Sequence, residues 1–404
     1  MKTKMTVHDA CQSLIDHTAR IPVESMPVCD LWGRTASKSI VVKSNLPPVP
    51  QSAIDGFALH KADLDGQSSI RIRQYLKHGE ITEEALSAGE SVGVLTGAAL
   101  PVNTAAVIPL ELVEVRNQEL TLPYAIKNSL NIKQPGEDLK KGDILLPAGN
   151  RITAGLVSAL AALGINEIMA YRQPHIVIIN LAPHIVAPYA PPAPGQILDS
   201  NGPLLECLIA RDGGIVTSRI NSQTDLVQAR DDILVHADLV ITVGSVFAQG
   251  ECEAAGLLHD WNAEILFWGV NMQPGSHTGA GMCGKTPILC LPGNPAACLV
   301  AYELLAAPLL RHLQGLDHAN CKVMAVCKND FTTNRLDIPR FLRGKAYCTE
   351  SGWFAEVLPG QKPSMIRSLI ECNALIETLP GQTRIKAGEQ VFAVLLESSS
   401  YIKR

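Results

Sequence analysis

The motif Leu-Pro-Gly-Asn-Pro at 291–295 carries the strongest chemical signal in the chain. The apolar run before it, 286–290, is typical of a buried strand, and the Ala- and Leu-rich segment 296–310 is typical of a helix. In such a turn Gly293 and Asn294 direct backbone N–H groups towards the carboxyl end of the strand, where α/β sheets bind anions. On its own, the motif is more typical of a tight turn at a helix start.

Two further segments belong to the same α/β unit and strengthen that signal. Asp199, Ser200 and Asn201 combine a carboxylate with polar residues at a turn. The segment 238–244 has the apolar character of a buried parallel strand and ends at Gly244. The three segments together predict a ligand site.

Another candidate lies nearer the amino terminus. The segment 44–50 contains three prolines and cannot be helical, and it delivers the chain to Asp55 and Gly56. Asp55 either caps the turn that Gly56 allows or faces a ligand, and the spacing favours the capping role. A second turn, at Thr96 and Gly97, follows a short apolar strand.

The composition indicates a large folded protein with several cores. A length of 404 residues predicts roughly two to four domains. Apolar residues make up 47% and charged residues only 18%, which excludes wholesale disorder. A net charge of −5, a pI near 6.1 and the lack of a basic tract argue against nucleic acid as a partner.

The sequence gives no signal for secretion, membrane insertion or zinc binding. Residues 1–20 are polar and lack the apolar core of a signal peptide. The apolar runs at 157–163 and 295–310 are expected to be too short or too interrupted to span a bilayer. The 11 cysteines form no CxxC pair and the 11 histidines no HxH or HExxH pattern, so we expect a reduced, cytoplasmic protein.

The pattern of elements changes along the chain. Apolar residues at helical spacing predict helices over 6–18 and 153–163. Short strands over 60–130 predict a small inserted β-domain. From residue 175 strands alternate with helices, as in a doubly wound sheet, and from about residue 320 short strands return. The predicted fold class is therefore α/β plus β, in an elongated multidomain protein.

Nine motifs cover nearly the whole length in a definite order. They are SAIDGFAL at 52–59, LTGAALP at 95–101, PGEDLKKGDILLPAG at 135–149, ALGI at 162–165, GQILDSN at 195–201, VITVG at 240–244, LPGNPAACLVAYELLAAPLL at 291–310, RFLRG at 340–344 and QKPSMIRSLIECNALIETLPG at 361–381. No single motif is specific. Their order and spacing make the chain resemble the molybdopterin molybdenumtransferases, the MoeA-type enzymes that include the gephyrin E domain.

The resemblance implies an elongated homodimer with a doubly wound, MogA-like α/β domain, smaller β-rich domains and an active site between subunits. The implied domains are 1–45 with 145–174, then 46–144, 175–317 and 318–404. The implied reaction is insertion of molybdate into adenylylated molybdopterin with release of AMP. A divalent cation, expected to be Mg²⁺, would assist it.

Carried over residue by residue, the resemblance implies catalytic roles for Asp55, Asp199 and Glu253. Asp55 and Asp199 are also the expected metal ligands. The expected substrate-binding residues are Thr96, Gly97, Ser200, Asn201, Gly244, Ser245, His277, Gly293, Asn294 and Ser364.

Three loops depart from the family pattern. Residues 181–185 replace Thr-Gly-Asp-Glu-Leu, 244–253 lose one glycine, and 273–277 replace Lys-Pro-Gly-Lys-Pro and lack both lysines. These changes leave three hypotheses open. The first is the family's enzyme, and the second is a weakened or inactive paralogue that holds pterin, nucleotide or a protein partner. The third is a different transferase, with His184 and His277 as new site residues.

Overall fold

The fold is described from a computed structural model that covers residues 4–66, 69–77, 79–221, 224–244, 246, 252–334 and 336–396. The N-terminal helix Val7–His17 is capped, as predicted, by Thr6, whose hydroxyl accepts the Asp9 N–H at 3.1 Å. Its buried face, which includes Leu14, packs into the same core as the helix Pro295–Leu313, called the long helix below.

A small antiparallel sheet follows the N-terminal helix. Its strands, in spatial order, are Val23–Pro27, Glu167–Tyr171 and Thr35–Ala36, with Ile40–Val41 and Ile144–Leu146 paired nearby. The predicted helix is confirmed as Ala154–Ala162, and it packs on this sheet. The Thr153 hydroxyl accepts the Leu156 N–H at 3.3 Å, and Gly164 follows the helix with a φ of +68°.

The short strands predicted over 60–130 are confirmed, and they belong to a six-stranded sheet. Its spatial order is Thr104–Pro109, Gly56–His60, Glu90–Val94, Ser69–Tyr75, Glu119–Thr121 and Glu114–Arg116. Only Ser69–Tyr75 and Glu90–Val94 pair in parallel. The short strands Gln51–Ser52 and Ile132–Lys133 pair beside it.

The α/β region confirms the doubly wound sheet. Its spatial order is Ile215–Ile220, His175–Asn180, Leu239–Val243, Thr286–Leu291, Gly279–Cys283 and Glu264–Trp268, and the described helices between them are Asn201–Arg211, Arg230–His236 and Glu253–Asp260. The first four strands are parallel, and Gly279–Cys283 runs antiparallel to its neighbours on both sides. The strand 279–283 was not predicted, because Gly-Ala-Gly-Met-Cys has neither alternation nor β-branched residues.

The long helix is the centre of the largest core. It is α-helical over Pro295–Ala301, π-helical over Tyr302–Ala306 and α-helical again over Ala307–Leu313. The prediction that this segment is too short or too interrupted to span a bilayer is wrong, because the helix Pro295–Leu313 has the length and the apolar composition of a membrane span. However, 89% of its most apolar window is buried within the protein, as expected for a core helix.

The C-terminal region is a closed β-barrel. In order around the barrel, its strands are Lys322–Cys327, Gly352–Val357, Arg340–Thr349, Ala374–Thr378 and Gln390–Leu395. Phe341, Leu375 and Val394 join the core around the long helix, so the barrel packs directly on the α/β region. The four domain boundaries stay a prediction.

Candidate functional site

The predicted turns of the α/β region meet at the carboxyl ends of its parallel strands. The Gly244 N–H donates to the Leu291 carbonyl at 3.0 Å, and the Leu181 N–H donates to the Val243 carbonyl at 3.0 Å. Gly244 has a φ of +87°, and a Cβ placed on Gly293 would lie 3.2 Å from the Gly244 Cα. Glycine at both positions lets two turns approach closely at the edge of the sheet where ligands bind.

Asn201 joins this cluster as the first residue of the helix Asn201–Arg211. It is only 8% exposed, and its side-chain amide donates to the Gly293 carbonyl at 2.7 Å. Among the described residues its buried Oδ1 has no hydrogen-bond partner. Asn294 precedes the long helix, and the Asn294 carbonyl accepts the Cys298 N–H at 2.8 Å. The structure therefore brings together Ser200, Asn201, Gly244, Gly293 and Asn294, called the strand-end cluster below.

A cavity of about 400 Å³, called the strand-end cavity below, opens at the same edge of the sheet. Its polar lining residues include Asn180, Tyr189, Gln196, Asp199, Arg219 and Asn221. Asp199 Oδ2 pairs with Arg219 Nη2 at 2.6 Å, and Asp199 Oδ1 accepts the Gly202 N–H at 2.9 Å. Both Asp199 oxygens are thus engaged, one by a guanidinium and one by the first turn of the helix.

Sequence reasoning missed Arg219. It lies near the carboxyl end of the strand Ile215–Ile220, where a parallel sheet presents its ligand-binding edge. An arginine near the carboxyl end of a predicted parallel strand could have identified Arg219 as an anion-binding candidate. Its pairing with Asp199, 20 residues earlier, depends on the strand order and could not be inferred from spacing.

Asp55 and Thr96 form a second cluster, on the six-stranded sheet. The backbone N–H and the hydroxyl of Thr96 both donate to Asp55 Oδ1, at 2.6 and 2.8 Å. Gly97 has a φ of +80°, and its N–H donates to the Ser52 carbonyl at 2.8 Å. Asp55 thus bonds the Thr96 turn, and a ligand role for it stays a prediction.

A third group lies between the α/β region and the barrel. The loop 273–277 bonds the barrel, since the Phe341 N–H donates to the Gln273 carbonyl at 2.9 Å. A cavity of about 340 Å³, the junction cavity, is lined there by Gln273, Arg340, Lys362 and their neighbours. Ser364 is exposed in the turn just beyond this lining.

The junction cavity is close to the start of the long helix. The Ala296 N–H donates to the Pro363 carbonyl at 3.1 Å, so the turn that holds Ser364 is adjacent to the first helical residues. Arg343 is 1% exposed and donates to the Gly360 carbonyl at 3.2 Å and to the Ser368 hydroxyl at 3.2 Å. Burial lowers the pKa of Arg343 to about 10. The Arg343 side chain therefore holds the segment 360–368 in place.

The remaining predicted residues are dispersed. Glu253 is exposed at the start of its helix, and Ser245 lies outside the described residues. His184 is exposed in the loop after the strand His175–Asn180. His277 is exposed on the loop 273–277, and partial burial together with the Lys4 ammonium lowers its pKa. The lowered pKa disfavours the charged imidazolium at neutral pH, so His277 is a poor substitute for a lysine.

The described residues of one chain do not form a ready metal site. Within them there is no group of three or more His, Cys, Asp or Glu side chains that could hold a metal ion. Asp199 is paired with Arg219, and Asp55 is bonded by Thr96 on another sheet. The predicted ligands Asp55 and Asp199 therefore belong to separate clusters.

The fold and clusters are those of a multidomain protein whose α/β domain presents polar residues at its strand ends. Residues 5–164 match the family described as "MoeA N-terminal region (domain I and II)". Residues 177–312 match "Probable molybdopterin binding domain", and residues 325–396 match "MoeA C-terminal region (domain IV)". The chain belongs to the MoeA family.

Relatives and solved structures agree with this assignment over the full length. The molybdopterin molybdenumtransferase of Staphylococcus epidermidis is 28% identical, over 99% of this chain and 97% of the relative. That of Staphylococcus aureus is 27% identical over the same shares. The crystal structure of a molybdopterin biosynthesis MoeA protein from Pyrococcus horikoshii is 26% identical, with a TM-score of 0.83 over 98% of this chain and all of that structure.

Proposed function

We propose that the protein is a transferase of molybdenum cofactor biosynthesis, which inserts molybdenum into molybdopterin. The finer proposal is that adenylylated molybdopterin and molybdate are the substrates and AMP is released. The observation that carries it is the strand-end cluster, in which Asn201 bonds the Gly293 turn beside Gly244. This cluster lies in the region that matches the molybdopterin-binding family.

The strand-end cavity suits the phosphate-bearing part of the substrate. It lies at the carboxyl ends of parallel strands, beside the N-terminus of an 11-residue helix. Helix N-termini and guanidinium groups both stabilise phosphate oxygens. Arg219 supplies the guanidinium.

The junction cavity suits molybdate, which is an oxyanion. Arg340 and Lys362 line it, and Arg340 has a buried Nε without a partner among the described residues. These cations would do the electrostatic work of the two lysines absent from 273–277. Ser364, in the adjacent turn, would contribute a hydroxyl.

The Asp55–Thr96 cluster would complete the site from a second copy of the chain. We propose a homodimer, because these residues lie on a different sheet from the strand-end cluster within one chain. We also propose Mg²⁺ as the divalent cation and the cytoplasm as the location. Substrate phosphates would have to supply most of the Mg²⁺ ligands, as is common for this ion.

A non-catalytic scaffold is less favoured than the enzyme. Its main support is the loss of charged residues from 181–185 and 273–277. Cations remain close to both loops, however, at Arg219 and Arg340. The Staphylococcus epidermidis relative is named as an enzyme, and the match covers 97% of its length.

Rescue of a bacterial strain that lacks its own molybdenumtransferase tests the proposal. The chain should restore molybdoenzyme activity, and Asp199→Ala should reduce the restored activity at least tenfold. Asp225→Ala is the matched control, because Asp225 Oδ1 also accepts backbone N–H groups at a turn, from Val227 and Gln228 at 3.1 Å. If the folded, expressed wild-type chain restored nothing, the proposal would be refuted.

A further inference from the structure

We infer that Arg219 is the phosphate-binding residue of the strand-end cavity, and that it binds a phosphate group there without a divalent cation. Binding of the phosphate replaces the ion pair between Arg219 and Asp199. This inference rests on the proposed function only for the presence of a phosphate group in the ligand. Its evidence is the charge, pairing and accessibility of the cavity's own side chains.

Arg219 is the accessible member of its ion pair. The Arg219 side chain is 31% exposed and the Asp199 side chain 13%. Arg219 Nη1 also contacts Glu206 Oε1, at 3.3 Å. A guanidinium carries five N–H donors, and these described contacts occupy two of them. An incoming anion can therefore meet the guanidinium before the pair with Asp199 has opened.

Asp199 is poorly placed to hold a cation. Asp199 Oδ1 accepts the Gly202 N–H and Asp199 Oδ2 accepts from Arg219, so a metal cation at either oxygen would be repelled by the adjacent guanidinium or N–H group. Gly202 makes room for this arrangement, since a Cβ there would clash with both Asp199 Oδ2 and Arg219 Nη2. The cavity thus already holds a cation of the protein, Arg219, paired with the Asp199 carboxylate.

Two amide side chains in the cavity are oriented as donors. Asn180 Oδ1 accepts the Ala182 N–H at 3.0 Å, and Gln196 Oε1 accepts the Ala193 N–H at 2.9 Å. Backbone N–H groups fix both amide oxygens in this way, so the Nδ2 and Nε2 groups remain to donate elsewhere. The cavity lining thus combines a guanidinium with two amide donors, which is the chemistry that recognises a phosphate.

Competition for Arg219 gives opposite predictions for the two roles of Asp199. If phosphate must displace the Asp199 carboxylate, removing that charge strengthens phosphate binding. If Asp199 instead holds a metal that bridges to the phosphate, removing the charge weakens binding. Asn at position 199 keeps an oxygen that can accept the Gly202 N–H, so the helix start is preserved.

The test is calorimetric titration of the full-length chain with AMP, a phosphate monoester, in EDTA and again with Mg²⁺. The wild-type dissociation constants in the two buffers should agree within about twofold. Arg219→Gln should weaken binding at least tenfold, which is about 1.4 kcal/mol. Asp199→Asn should strengthen it at least threefold. Arg384→Gln, which opens the exposed pair with Asp330, is the control and should change nothing.

Several results would overturn the inference. They are wild-type binding of AMP only when Mg²⁺ is present, weaker binding by Asp199→Asn, unchanged binding by Arg219→Gln, or no binding of AMP by the wild type in either buffer. Each variant is first checked for an unchanged thermal unfolding midpoint. Rescue of molybdoenzyme activity is a separate readout: a chain that rescues but fails this test refutes the inference and leaves the proposed function standing.

Discussion

Replacing Glu303 with Gln tests the buried contact that holds the two site helices together. Glu303 is 4% exposed in the π-helical part of the long helix, and it receives bonds from Arg211 at 2.7 and 3.0 Å. Arg211 is the last residue of the helix that begins at Asn201. The pair therefore joins the helices whose first residues lie at the strand-end cluster.

The magnitude follows from the ionisation of the carboxyl. Burial raises the pKa of Glu303 from 4.5 to about 7, against the lowering effect of Arg211. Between these two pH values the folded chain keeps a proton that the unfolded chain has lost. The stability gained is complete below pH 4.5 and is lost as the pH rises through 7. A separation of about 2.5 pH units corresponds to about 3 kcal/mol.

Gln has nearly the same shape as a protonated Glu and does not ionise. The free energies of unfolding of wild type and Glu303→Gln should therefore be similar near pH 4.5. By pH 8 the wild type should have lost about 3 kcal/mol relative to the variant. Urea unfolding followed by tryptophan fluorescence at several pH values measures the difference.

Glu371→Gln is the control, because Glu371 forms an exposed pair with Lys345 at 3.0 Å. Its difference from the wild type should vary little with pH. The reasoning is refuted if Glu303→Gln becomes the less stable protein as the pH rises, since that would mean that Arg211 keeps Glu303 ionised in the folded chain.

Two further substitutions probe the sheet and the turn. Asp238→Asn should lower the free energy of unfolding by about 1.5–3 kcal/mol, because the Asp238 carboxylate accepts both Arg172 bonds, at 2.6 and 2.7 Å. An unchanged urea midpoint would show that this ion pair does not stabilise the fold. Gly293→Ala should reduce rescue at least tenfold, since its Cβ would lie 3.2 Å from the Gly244 Cα. Gly256→Ala is the control and should rescue fully, because its Cβ meets open space on a helix. Equal rescue by both variants would show that the close approach of Gly293 to Gly244 is not needed for activity.

The elements were predictable where local chemistry decides them. Thr6 and Thr153 start helices because their hydroxyls accept early N–H groups, and both caps are present. The apolar strand 239–243 was visible because a parallel strand is buried on both faces. The glycine-rich strand at 279–283 was missed because its two neighbouring strands, not its own side chains, hold it in the sheet.

The candidate site was predictable only in part. Asn201, Gly244 and Gly293 were expected to act together. They meet because the strands that precede Gly244 and Gly293 are adjacent in the sheet, and the helix that begins at Asn201 starts beside them. The pairing of Asp199 with Arg219 follows from strand order, which no local pattern encodes. The separation of Asp55 from this cluster likewise reflects tertiary arrangement rather than sequence spacing.

The most direct test of the central claim is AMP release from adenylylated molybdopterin by the purified chain. The proposed function predicts that molybdate triggers release of one AMP per substrate consumed, with molybdenum found on the pterin product. Asp225→Ala should behave as the wild type, as in the rescue assay. Tight binding of the adenylylated substrate without molybdate-dependent AMP release would contradict the claim and assign the chain to the scaffold class.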